Sequence, residues 1–173
     1  EPVPIEDVKA LLIMSDLEQT STFDSSNPLV NRLYLNALWS ARDNFMSVPT
    51  DCPQRGERFG WTGDAQIFAR TGSYLMDVNA FYQKYCLDMR DTSTDNRIIA
   101  DVSPASAGNG WYGQGDRKGA TNGWGDAIVI IPYQMYKQYG NTAILEENYQ
   151  TMCNWMDYLV STSTDYIRDE SWT

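Results

Sequence analysis

The chain contains no histidine. That absence removes Ser-His-Asp and Cys-His catalysis, and every histidine-ligated zinc site, from its own repertoire. Any proton transfer it performs falls to carboxylates. Cysteine is scarce and odd in number: Cys52, Cys86 and Cys153 are too widely spaced for a zinc cluster and fit no disulfide framework. Cys86 and Cys153 are expected as buried thiols on helix faces. Basic residues are also few, 13 against 23 acidic ones, for a formal charge of −10. Such a chain repels phosphate backbones and anionic lipid, so neither nucleic acid nor a membrane is expected as its partner. Long apolar runs are missing as well. The run from Ala127 to Ile131 stops at Pro132, far short of a bilayer span. No signal-peptide pattern is read in the opening Glu1-Pro2-Val3-Pro4, and cytoplasmic, periplasmic and secreted locations all stay open.

What is present suits one ordinary domain: 173 residues, 42% of them hydrophobic, enough to bury a core. Residues 3–23 carry short apolar runs without a helical face, as one or two strands or an extended linker would. Ser26 or Asn27 can cap a helix with Pro28 in its first turn. Val30, Leu33, Tyr34, Ala37, Leu38, Ala41 and Phe45 then recur at helical spacing, predicting a helix over 27–46. After a charged loop, Ala65, Ile67, Phe68 and Thr71 continue a helix that Gly72-Ser73 is expected to break or bend. Tyr74, Leu75, Val78, Phe81, Tyr82 and Tyr85 form the next pattern. Residues 92–123 are a long connection. "WGDAIVIIPYQMYKQYG" reads as a buried helix, kinked at Pro132 and ended by Gly140. Leu145, Tyr149, Met152, Cys153, Met156 and Leu159 give one more amphipathic helix.

The fold class is therefore mainly α, with short turns alternating with two long loops. In a ring of helical hairpins those loops gather at one mouth, where functional sites sit. Gly108 to Gly113 matches G-x-G-x-x-G, but no strand precedes it, so it is not read as a dinucleotide fingerprint. Tyr133, Tyr136 and Tyr139 are expected to pack rather than to bind.

The first long loop, "SVPTDCPQRGERFGWTGDAQ", crowds Asp51, Glu57 and Asp64 together with Arg55, Arg58 and Trp61. An ionised carboxylate accepts two hydrogen bonds from vicinal sugar hydroxyls, and a tryptophan offers its flat face to the C–H surface of a sugar ring. Trp61, Trp111 and Trp124 are available for that. Glycosidic cleavage needs one protonated carboxyl to donate to the leaving oxygen and a second group to activate water or attack carbon. Glu57 can be the donor, provided that burial or a neighbouring carboxylate favours its protonated form. The arginines are expected to pair with Asp51 or Asp64, or to hold hydroxyls themselves. A plainer reading also fits the spacing: Asp64 caps the next helix, Asp51 caps a turn, and Glu57 is solvated.

"VPTDCPQRGERFGWTGDAQIFA" resembles the signature region of bacterial α-L-rhamnosidases of glycoside hydrolase family 78. "SNPLVNRLYLNALWSARDNF" before it and "GWGDAIVIIPYQMYKQYGN" after it resemble the same family in the same order. The resemblance implies part of an (α/α)6 barrel of helical hairpins, with a short extended or β segment at the N-terminus. Residues 1–23 would end a preceding β region or linker, and 24–173 would form the first half of the barrel. It implies inverting hydrolysis of terminal α-L-rhamnosides, with Glu57 as general acid and Asp51, Arg55, Trp61 and Asp64 lining the sugar subsite. Trp124 and Asp126 match a further segment facing the pocket. No metal or cofactor is expected.

The expected substrate is a rhamnose-containing glycoside or polysaccharide. Gly56 stands where the family carries an acidic residue. The family's general base is a glutamate later in its catalytic domain, and none of Glu146, Glu147 or Glu170 is nominated for it. On this reading the isolated chain is inactive, and an apolar flank awaits the remainder of the barrel or self-association. The alternatives are a non-catalytic carbohydrate-binding or structural segment and a helical-barrel glycosidase for another sugar.

Overall fold

The computed structural model describes residues 8–93, 98–104 and 121–168. Five helices dominate: α1 (Pro28–Asn44), α2 (Thr62–Leu75), α3 (Asn79–Asp91), α4 (Ala127–Tyr139) and α5 (Thr142–Ser161). Between α1 and α2, β1 (Phe45–Met46) and β2 (Val48–Pro49) pair antiparallel, with Phe45 opposite Pro49 and Met46 opposite Val48. Ser47 turns this ribbon in the left-handed region, at φ 68°. Its N–H donates to Ser15 Oγ at 2.9 Å, a bond that offsets part of the cost of that conformation for a residue with a Cβ. Glu170 and Trp111 lie outside the described residues, as do the G-x-G-x-x-G glycines.

The helix starts follow local chemistry. The side chain of Asn27 accepts the Leu29 N–H at 3.0 Å, with Pro28 just inside, and Asn141 accepts the Ile144 N–H at the head of α5. Gly140 ends α4 in the left-handed conformation, φ 67°, with its N–H on Tyr136 O, a backbone geometry that glycine adopts without steric cost. α4 is continuous through Pro132.

One boundary differs from expectation. α2 runs through Gly72-Ser73 to Leu75. Gly72 is there for space: a Cβ would sit 3.3 Å from the Phe45 ring. The chain leaves the helix instead at Met76–Val78. There Asp77 N–H donates to Glu18 O at 2.8 Å and Val78 N–H to the Tyr139 hydroxyl at 3.1 Å. Tertiary partners, invisible to local periodicity, take the backbone donors that another helical turn would need.

α4 packs against α2, α3 and α5, and α3 also meets α5. α5, which carries Glu146 and Glu147, thus packs on α3 and α4. Phe45 seals the α1 end of the core, stacked on Phe81 at 4.7 Å and edge-on to Tyr82 at 6.0 Å and Phe68 at 5.9 Å. Cys86 is fully buried here and Cys52 is buried under its loop, whereas Cys153 is only half-buried, short of expectation; all three are free thiols. Of the three tyrosines expected to pack, Tyr139 does; Tyr133 and Tyr136 stand on the exposed face of α4. Leu29 and Leu33 on α1, Ile67 on α2 and Val160 on α5 are also exposed.

The starts of α2 and α4 lie close together, since a Cβ on Gly63 would come within 3.0 Å of the Trp124 ring.

Candidate active site

The first loop is closed by a single residue acting twice. Asp51 N–H donates to Phe59 O at 3.0 Å, and Asp51 Oδ1 accepts the Phe59 N–H at 2.9 Å. Gly60 then runs tight against the segment 98–104: Ser103 N–H donates to Gly60 O at 2.8 Å, and a Cβ on Gly60 would lie 2.1 Å from Ser103 O. Tyr85, buried beneath, also donates its hydroxyl to Gly60 O. The loop is thus pinned at both ends, and its middle projects outward.

That middle carries the reactive groups. Glu57 Oε1 accepts the indole N–H of Trp61 at 2.7 Å. Its Oε2 meets the Arg55 guanidinium, 2.9 Å from Nε and 2.7 Å from Nη2. Arg55 reaches Asp51 Oδ2 more loosely, at 3.4 Å. The side chain of Asp51 is only 6% exposed, that of Glu57 25% and that of Arg55 61%. Arg55 is held above its ordinary pKa first by the hydrogen bond to Glu57 and then by that carboxylate's charge. The expected pairing of the arginines with Asp51 or Asp64 holds for Arg55 with Asp51, and Glu57 is an added and closer partner. Arg55 bonds Glu57 most closely, and Arg58, at φ 57°, turns its Nε onto Pro53 O instead.

Asp64 sits in the first turn of α2, whose N-cap, Trp61, makes no side-chain cap. Partial burial raises the Asp64 pKa from 3.8 against the pull of its own backbone N–H, and the charges of Asp51 and Glu57 raise it further. Desolvation and like charge outweigh the helix terminus. The folded state therefore binds this proton more tightly than the unfolded chain, so Asp64 lowers stability as pH rises from 3.8 through its raised value. Asp64→Asn is expected to be more stable than the parent at pH 7, by less than about 1 kcal/mol for so exposed a group. The gain should shrink to nothing below 3.8 in urea unfolding followed across pH; a constant gain would contradict it.

Asp51 and Asp64 together line an open cavity of about 270 Å³ between α1 and α2, with Ala41, Pro49 and Phe68. Asp51, Cys52 and Glu57 also offer ligand atoms within 4.8 Å of one another. A divalent ion could bridge such a spacing, but the Arg55 guanidinium already supplies the counter-charge to both carboxylates.

A second wall comes from the turn before α4. The Trp124 ring stacks against Gly63, where a Cβ would lie 3.0 Å from its Nε1. Gln66 Nε2 donates to Gly123 O just below. Trp124 Nε1 and Gln66 Oε1 are buried with no partner among the described residues. Asp126 is already engaged: Oδ2 accepts the Gly123 N–H at 2.9 Å and Oδ1 the Trp155 indole N–H at 3.0 Å. It also borders a larger groove of about 570 Å³ with Met156, Leu159 and Arg168. Trp61, Asp64 and Trp124 thus meet around the first turn of α2, and Asp126 stands behind them as a support. Asp101, Thr121 and Trp155, which hold these walls, were not singled out from the sequence, and no local pattern marks them.

The residues 18–173 match the family described as the bacterial alpha-L-rhamnosidase 6 hairpin glycosidase domain. An alpha-L-rhamnosidase of Formosa agariphila is 39% identical over 160 residues, covering 92% of this chain and 16% of that protein. The crystal structure of Streptomyces avermitilis alpha-L-rhamnosidase complexed with L-rhamnose superposes with a TM-score of 0.83 at 36% identity, covering 90% of this chain and 14% of that one. The alpha-L-rhamnosidase from Dictyoglumus thermophilum gives a TM-score of 0.87 at 32% identity, over 98% of this chain and 18% of its own. The chain spans about one-sixth of the curated relative it matches.

Proposed function

The chain belongs to the bacterial α-L-rhamnosidase six-hairpin glycosidase family, and on that premise we propose that it supplies the acid-bearing wall of an inverting α-L-rhamnoside hydrolase. The observation that carries this reading is the grip on Glu57: Trp61 orients one oxygen at 2.7 Å while Arg55 holds the other. A general acid must present its proton to one lone pair of the glycosidic oxygen, and a carboxyl held by an indole is aimed before substrate arrives. Arg55 is mostly exposed and free to swing, so ring hydroxyls that draw it toward Asp51 release Glu57 for its task. Asp51 and Asp64 accept sugar hydroxyls, and Trp61 and Trp124 face the ring. The anionic wall also favours the positive charge that develops at the anomeric carbon.

In the reaction the proton of Glu57 passes to the leaving oxygen as the glycosidic bond breaks. Water attacks the opposite face of the anomeric carbon and yields its proton to a base. Inverting pairs keep their carboxyls about 6.5–9.5 Å apart. Asp51 lies within 4.8 Å of Glu57, too close for that role. The base is assigned, on the family resemblance, to a glutamate later in the catalytic domain, with residues 24–173 as the first half of the barrel, and on this reading the chain alone is inactive. Residues 1–23 are assigned to a preceding β region or linker. In the longest form of the protein, proton NMR of fresh hydrolysate should show the β anomer of L-rhamnose first. The α anomer first, or no rhamnose, would overturn the mechanism.

A further inference from the structure

Between α3 and α4, Asp101 bonds to both walls of the site. Its backbone oxygen accepts the Thr62 N–H at 2.9 Å and the Thr62 hydroxyl at 3.0 Å, at the first residue of α2. The flanking Trp61–Val102 bridge and the Ser103–Gly60 bond fix this stretch to the end of the acid loop. The Asp101 side chain points the other way. Oδ1 accepts the Thr121 N–H at 3.1 Å, and Oδ2 accepts the Thr121 hydroxyl at 2.6 Å. Thr121 O in turn accepts the N–H groups of Trp124 and Gly125, each at 3.1 Å. One residue thus joins the start of α2, beside Trp61, to the turn that carries Trp124.

We propose that Asp101 is a positioning residue, which sets the Trp124 turn against the Glu57–Trp61 wall and so fixes the width of the sugar subsite. The proposal rests on the rhamnosidase reading for its ligand but not for its geometry. The carboxylate suits the task because its two oxygens take two donors from one residue, fixing direction as well as distance. Its neutral analogue keeps half of this: in Asp101→Asn the amide oxygen still accepts the Thr121 N–H, and the amide N–H can donate to the hydroxyl oxygen. Alanine keeps neither. Glu57 is held separately, by Trp61 and Arg55, so loss of Asp101 should spoil sugar binding more than proton donation.

The test uses the longest form of the protein, labelled with 5-fluorotryptophan, with the Trp124 resonance assigned by Trp124→Phe. In Asp101→Ala the Trp124 fluorine signal should shift or broaden, and Asp101→Asn should restore most of it. On p-nitrophenyl α-L-rhamnoside, Asp101→Ala should raise KM about tenfold and leave kcat within about threefold, the pattern of lost uniform binding. Thr121→Val should show the same split at smaller size, and it stands in if Asp101→Ala does not fold. An unmoved Trp124 signal overturns the proposal. So does a moved signal with unchanged KM, or with an equal fall in kcat that Asp101→Asn does not rescue. A moved and rescued signal in a protein whose parent hydrolyses no rhamnoside bears out the positioning and sinks the rhamnosidase reading instead.

Discussion

Glu57→Gln is expected to slow hydrolysis of an alkyl α-L-rhamnoside by about 10²–10⁴-fold while costing a p-nitrophenyl α-L-rhamnoside far less. The difference follows from what each leaving group needs. An alkoxide leaves only when protonated, and an amide has no acidic proton to give; p-nitrophenolate carries its own charge away. The substitution is mild structurally. The amide oxygen still accepts the Trp61 N–H now held at 2.7 Å, and only the contact with Arg55 turns unfavourable, donor facing donor. A loss of rate with normal folding and a large dependence on leaving group therefore identifies the acid. Equal losses on the two substrates, or no loss on the alkyl one, would remove Glu57 from that role.

The second large effect is on stability. Trp155 is fully buried on α5, stacked on Tyr158 at 5.9 Å, and donates to Asp126 at 3.0 Å. Its ring lies so close to Gly125 that a Cβ there would come within 2.4 Å of it. Trp155→Ala leaves a large void and an acceptor without its donor, and removing a buried tryptophan costs about 3–5 kcal/mol. Trp155→Phe keeps most of the ring and isolates the hydrogen bond, with an expected loss of about 1–3 kcal/mol. Urea unfolding reads both. A phenylalanine variant as stable as the parent would mean that Asp126 does not depend on this donor. Because Asp126 also holds the Gly123 N–H, both variants should loosen the Trp124 turn, making a residue on α5 matter to the start of α4.

Much of this was legible in the residues themselves. Asp51, Glu57 and Trp61 stand within eleven positions of one another in a loop with glycine and proline at its bends, and the structure brings Glu57 and Trp61 into contact, with Asp51 beside them. The helices followed their apolar spacing and caps. What escaped was set by partners distant in sequence. Gly72 marks the approach of the Phe45 ring rather than a break, and α2 ends where Glu18 and Tyr139 capture backbone donors. Charge alone did not tell that Arg55 would hold Glu57 more closely than Asp51, since in an irregular loop the geometry depends on backbone direction. Asp126, matched by the family resemblance to a segment facing the pocket, also has one protein donor on each oxygen, and those donors, Gly123 and Trp155, could not be read from its neighbours in sequence. Asp101 gave no local signal at all, because its partners Thr62 and Thr121 lie 39 and 20 residues away.

The measurement that tests the central claim most directly is release of L-rhamnose from p-nitrophenyl α-L-rhamnoside by this 173-residue chain beside the longest form of the protein. The account predicts turnover by the longer form and none by the chain alone, which holds the acid and the sugar wall without a base. Turnover by the chain alone, or by neither, would contradict it.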